Sequence, residues 1–165
     1  MKARDADPAR SLEVCEALGA ADHGVLVQRD TYFEVPRGRL KLREEEGAPS
    51  QLISYARPDE AEERLSCYRL VEIPASAGLK AALSESLGAR IVVSKHRRLF
   101  LWRGVRIHLD QIDGLGAFLE FEAVAPEHSD LSHEHEKVRR LRGAFGIKSD
   151  DLIGRSYSDL LLEAE

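Results

Sequence analysis

IVVSKHRRLFLWRGVRIHLDQIDGLGAFLEFEA, residues Ile91–Ala123, alternates with the period of a β-strand through successive segments. Lys95 and Arg97 share one face of the first segment. Arg106, His108 and Asp110 share one face of the second, and Phe118, Glu120 and Glu122 one face of the third. The opposite face of the latter two is apolar: Val105, Ile107 and Leu109, then Leu119, Phe121 and Ala123. One side of this sheet is greasy and the other carries both basic and acidic groups. Two placements satisfy that pattern. Either the charged face meets water, or the sheet curls so that the charges line a lumen and helices cover the greasy side.

The flanking chain reads as one domain over 1–165, long enough to bury a core. A net charge of -5 argues against a binder of nucleic-acid polymers, whose electrostatic footprint is basic. A local basic site is still compatible with that average. No apolar run reaches membrane-spanning length, and MKARDADPAR lacks the apolar centre of a signal peptide, so a cytoplasmic protein with no membrane partner is expected. Cys15 and Cys67 fit no metal or redox spacing and read as reduced thiols.

Upstream, Asp7 as N-cap and Pro8 at the first helical position open a helix with Leu12, Cys15 and Leu18 on one face, closed by Gly19. GVLVQRDTYFEV from Gly24 predicts a strand ending before Pro36; RLKLREEE, QLISYARP and LSCYRLVEI predict three more. DEAEER reads as a solvated loop or helical turn, and Ser76–Leu87 as a helix ended by Gly88. Downstream, EHSDLSHEHEKVRRLRGAF predicts a helix and SYSDLLLEAE a short amphipathic one. Some eight strands with three or four helices give an antiparallel α+β domain.

Two sets of residues could carry chemistry. Lys41, Arg43, Arg57, Lys95 and Arg97 are cations on strands, with Lys2 a sixth, and two of the pairs stand at i, i+2 on one side. Cations converging on one place repel unless a polyanion lies between them, and phosphate oxygens suit both arginine forks and lysine point charges. The bland alternative is an exposed sheet face whose cations pair with glutamates. The acidic set is Glu120, Glu122 and Asp110. Carboxylates beside cations could hold Mg²⁺ or Mn²⁺ bridging to phosphate, or could simply form salt bridges across the sheet. GLG at Gly114–Gly116 lacks the rest of a dinucleotide fingerprint and reads as a turn. His128, His133 and His135 read as a solvated helix face, and Phe100 and Trp102 as packing groups.

DTYF (Asp30–Phe33), GRLKLRE (Gly38–Glu44), LISYARPD (Leu52–Asp59), Lys95-x-Arg97, RIHLDQIDGLGAFLEFE (Arg106–Glu122) and the closing SYSDLL resemble, in order, the class IV adenylate cyclases. These belong to the CYTH superfamily with thiamine triphosphatase and the triphosphate tunnel metalloenzymes. The resemblance implies a single CYTH domain: a closed antiparallel barrel of about eight strands, charged inside and covered by helices. It implies a metal-dependent enzyme acting on a small-molecule triphosphate, as a cyclase making cyclic AMP and pyrophosphate or as a triphosphate phosphohydrolase. By motif, Lys2, Lys41, Arg43, Arg57, Lys95 and Arg97 would hold phosphate, with Lys95 and Asp110 catalytic. Glu120, Glu122 and Asp110 would lie at the Mg²⁺ or Mn²⁺ side, Asp110 orienting a cation or helping to hold the metal. A homodimer is also expected to be possible. One departure stands out. The family's opening strand reads ExExK, whereas here Lys2 matches the lysine and Met1 stands in place of a glutamate, so a start further upstream or a weakened, binding-only site is expected.

Overall fold

The computed structural model describes residues 1–56, 67–125 and 129–164. Eight strands and four α-helices alternate in the order β1 (Lys2–Arg4), α1 (Pro8–Ala17), β2 (Ala21–Phe33), β3 (Arg39–Glu45), β4 (Ser50–Ala56), β5 (Cys67–Ile73), α2 (Ser76–Leu87), β6 (Ala89–Trp102), β7 (Val105–Ile112), β8 (Gly116–Ala123), α3 (Ser132–Ala144) and α4 (Tyr157–Ala164). Arg57, DEAEER and His128 lie outside the described residues. No helix among the described residues is long and apolar enough to cross a membrane.

Local chemistry sets most boundaries. The Asp7 carboxylate accepts from the Arg10 N–H and Pro8 occupies the first turn, so α1 starts where its capping residues dictate. It stops in a Schellman turn, with Gly19 at φ 65° and the Ala20 N–H donating to the Cys15 carbonyl. Arg103 and Gly104 both take positive φ, the two-residue hairpin geometry that matches strand twist, and they join β6 to β7. β2 begins three residues before the expected Gly24, because a bulge between Asp22 and Val25 lets Ala21 and Asp22 still pair with β6.

All ladders are antiparallel, and the sheet order is β1-β8-β7-β6-β2-β3-β4-β5. The greasy faces read from sequence form the main core: Val105, Ile107, Leu119 and Phe121 pack with Phe100 and Trp102 of β6 and with Cys15, Val138 and Leu141 of α1 and α3. Helices therefore cover the apolar side and the charged side turns inward. A second cluster closes one end of the lumen. There Tyr157 of α4 packs on Tyr32, Val93, Ile112 and Phe118, meeting the Phe118 ring edge-on at 5.0 Å.

The expected closed barrel is, in the ladders among the described residues, a curled sheet with β1 and β5 at its ends. The outer edge of β1 is occupied: Ala3 bridges to Leu152, and the Ile153 N–H donates to the Lys2 carbonyl at 2.9 Å. Curling is nevertheless strong, because residues from β1 and β5 line the same cavity.

Candidate active site

That cavity has a volume of about 340 Å³, within the usual range for small-molecule sites. Lys2, Lys41, Arg43, Lys95, Arg97, Glu120 and Glu122 line it. Strand periodicity places them there: Lys41 and Arg43 on β3, Lys95 and Arg97 on β6, and Glu120 and Glu122 on β8 project from one side of their strands. The structure thus brings together every described member of the two sequence sets except Asp110, which sits directly behind Arg97.

The cations are organised by two buried aspartates. Asp30, 1% exposed, accepts from the Lys41 ammonium at 2.7 Å, from the Lys95 ammonium at 2.9 Å and from Arg43 through both oxygens at 2.8 and 2.9 Å. Asp110 receives the Arg97 fork at 2.7 and 2.6 Å, and the Tyr157 hydroxyl donates to it at 2.9 Å. The same Arg97 reaches Glu120 at 2.8 Å. Lys2 donates to the Arg155 carbonyl at 2.9 Å and lies 4.0 Å over the Tyr157 ring. Glu122 is paired with Arg106 nearer the mouth at 3.2 Å.

Electrostatics follow from burial and neighbours. Burial works against the charge on Asp30, but Lys41, Lys95 and Arg43 overcome it and hold the carboxyl well below the usual carboxylate range. The lysines bear the cost. Burial lowers Lys95 to about 8 despite Asp30, with Arg97 and Arg43 adding repulsion. Burial likewise pushes Lys41 well below its usual value, opposed by Asp30 and reinforced by Arg43 and Lys95. Around Arg97 the balance reverses, since Asp110 and Glu120 outweigh burial and hold the guanidinium firmly charged. Burial, then Arg97, lowers His108, opposed by Glu120 and Asp110; its Nδ1 lies 3.6 Å from Glu120, beyond hydrogen-bond distance.

The donor set for a divalent cation is narrower than the sequence suggests. Both oxygens of Asp110 are engaged by Arg97 and Tyr157. Among the described residues, no three Asp, Glu, His or Cys side chains gather as a metal cage. Glu120 and Glu122, although paired with Arg97 and Arg106, could serve an ion that needs one or two carboxylates and takes its remaining ligands from phosphate and water.

Sequence reading gave no role to Asp30, although it lies within DTYF, or to Tyr157, within SYSDLL. An aspartate in the apolar company of Val27, Tyr32 and Phe33 was the available signal, because such a residue is rarely buried unpaired. Nothing local announces Tyr157, which reaches Asp110 from 47 positions away.

The CYTH domain model matches residues 1–157. The chain belongs to the CYTH domain family. Solved structures share the fold: the PH1012 protein of Pyrococcus horikoshii OT3 superposes at TM-score 0.85 and 23% identity, covering 96% of each chain. A candidate adenylate cyclase from Vibrio parahaemolyticus follows at TM-score 0.81 and 21% identity, covering 98% of this chain and 95% of its own. A second candidate adenylate cyclase, from Bacillus halodurans, has TM-score 0.58 and 18% identity over 90% and 89% of the two chains. At these identities the likeness is one of fold. The sequence matches no curated protein.

Proposed function

We propose that this CYTH domain is a metal-dependent enzyme that binds the triphosphate of a small molecule in its lumen and catalyses displacement at one of its phosphorus atoms. One observation carries the reading: Lys41, Arg43, Lys95 and Arg97 converge on a buried cavity in which burial and mutual repulsion depress both lysines. A polyanion would relieve that repulsion, and few ligands other than a chain of phosphates match its density of charge.

In this mechanism Lys2, Lys41, Arg43, Lys95 and Arg97 hold phosphate oxygens. Lys95, held in its charged form by the ligand, stabilises negative charge as it develops on the reacting phosphorus group. Asp110 acts as a positioning residue: it fixes the Arg97 fork, and Tyr157 fixes Asp110. Glu120 and Glu122 would hold Mg²⁺ or Mn²⁺, which supplies Lewis-acid polarisation of a phosphoryl oxygen. With a nucleotide, attack of the ribose 3′-hydroxyl on the α-phosphorus, loss of its proton and departure of pyrophosphate would make a cyclase. Attack of water on the terminal phosphorus, with loss of a proton and departure of the remaining diphosphate as orthophosphate forms, would make a phosphohydrolase.

Incubation with ATP and with inorganic triphosphate, each with Mg²⁺ or Mn²⁺, separates these by product: cyclic AMP and pyrophosphate, or orthophosphate. Lys95→Ala and Glu120→Ala should each abolish turnover in folded protein, and unchanged rates in both would refute the assignment. A second reading, a triphosphate-binding module with weak turnover, is favoured by the absence of a three-residue metal cage among the described residues. Tight binding with negligible product at high Mn²⁺ would select it.

A further inference from the structure

His108 lines the lumen but belongs neither to the phosphate-holding cations nor to the acidic set. It is 4% exposed, and the register of β7 and β8 sets it directly opposite Glu120, with Arg106 opposite Glu122 on the next inward rung. Its Nδ1 is buried and has no hydrogen-bond partner among the described residues. An unpaired buried nitrogen costs free energy, and where a native protein keeps one, chemistry or a bound ion is a common reason. The nearest acceptor is Oε2 of Glu120, at 3.6 Å. Two atoms that ligate one ion at about 2.1 Å each, at right to tetrahedral angles, stand about 3.0–3.4 Å apart. The observed gap is too wide for a good hydrogen bond and close to that of a chelating pair.

We propose that His108 is a ligand of the lumen metal, forming with Glu120 a nitrogen–oxygen pair that selects a transition ion over Mg²⁺. The favoured ion is one that accepts imidazole, such as Ni²⁺, Fe²⁺ or Zn²⁺, because Mg²⁺ keeps to oxygen ligands. Arg97 takes one lone pair of Glu120 at 2.8 Å and leaves the carboxylate others. Burial, reinforced by Arg97, favours the uncharged imidazole, which is the form that binds metal. Asp110, two residues along the same face, does not compete, since Arg97 and Tyr157 engage both its oxygens. Two protein ligands suffice where phosphate oxygens and water supply the remainder. The proposal rests on Glu120 standing at the metal side, and it adds a ligand and a class of ion that glutamates alone would not select.

The test is calorimetric titration of Ni²⁺ and of Mg²⁺, without triphosphate, into untagged wild type, His108→Phe, His108→Gln and Glu120→Gln. His108→Phe keeps a buried ring without its nitrogens, and His108→Gln is a second replacement should the first fail to melt cooperatively by circular dichroism. Wild type should bind one Ni²⁺ per chain more tightly than Mg²⁺. Ni²⁺ affinity should fall at least about tenfold in either His108 variant and in Glu120→Gln, while Mg²⁺ affinity in the His108 variants should stay within about twofold. Ni²⁺ bound equally by wild type and the His108 variants overturns the proposal, its ion then sitting on Glu120 alone or on surface histidines such as His133 and His135. Equal losses for both ions in the His108 variants also overturn it, because the imidazole would then only support Glu120. No Ni²⁺ binding by folded wild type does the same. Weakening in Glu120→Gln but not in the His108 variants leaves the proposed function standing without this ligand, whereas indifference of both ions to Glu120→Gln removes the metal side itself.

Discussion

Asp30→Asn removes a charge and almost no volume from the place where Lys41, Arg43 and Lys95 meet. Each of these cations lies within 2.9 Å of the carboxylate, which is 1% exposed. An asparagine oxygen can replace one of these contacts, but its amide turns N–H groups towards the remaining cations. Breaking a buried ion cluster from one side costs about 3–5 kcal/mol. For a chain of this length each kcal/mol moves the melting temperature by about 2–4 °C, so a drop of about 6–20 °C follows. Saturating inorganic triphosphate should reverse most of it, because phosphate oxygens take the place of the lost carboxylate. At one ligand concentration, set about a hundredfold above the wild-type dissociation constant, the ligand-induced rise read by differential scanning calorimetry should therefore be several degrees larger in Asp30→Asn, which binds the polyanion more tightly, than in wild type. A variant melting within about 2 °C of wild type, or one gaining no more from the ligand, would refute the view that Asp30 holds these cations for a polyanion.

The depressed lysines give two opposite pH dependences. Between about 8 and the ordinary value of 10.5, Lys95 is protonated in the unfolded chain but not in the folded one. The ligand-free protein should therefore gain stability as pH rises through that window, and the gain should be absent below it. Triphosphate favours the protonated lysine, so its affinity should fall as pH rises through about 8, and calorimetry in buffers of different ionisation enthalpy should show proton uptake on binding. Tyr157→Phe deletes one hydrogen bond to a charged carboxylate and should cost about 2 kcal/mol, seen as a fall in melting temperature of about 4–8 °C. Glu120→Gln removes the second negative charge beside Arg97 and a carboxylate from the metal side. Triphosphate binding without metal should persist or tighten, while Mg²⁺- or Mn²⁺-supported turnover should drop at least about tenfold.

The sequence made the faces of β3, β7 and β8 legible because these strands alternate between apolar and charged residues, while in β6 only the i, i+2 spacing of Lys95 and Arg97 put the two on one side. Lys41, Arg43, Lys95, Arg97, Glu120 and Glu122 could be placed on their sides by counting in twos. What joins them could not be counted. The contact between Asp30 and Lys95 spans 65 positions and exists only once β2 and β6 are paired in register. Sheet curl and the covering of the β1 edge by Leu152 and Ile153 are equally non-local. α4 reads as a short amphipathic helix, and nothing within it says that Tyr157 stops one end of the lumen. Tyr68 and Leu70 look like ordinary strand residues until β5 is seen as an end of the sheet lining the cavity that holds the cations.

Isothermal titration of inorganic triphosphate into the wild-type protein and into Arg97→Ala and Lys95→Ala, at pH 7 and without metal, asks most directly whether the lumen is a polyphosphate site. Saturable binding at one ligand per chain, weakened at least about tenfold by either substitution, is the expected result. No saturable heat in folded wild-type protein, or binding indifferent to both substitutions, would mean that these cations serve the fold and not a triphosphate.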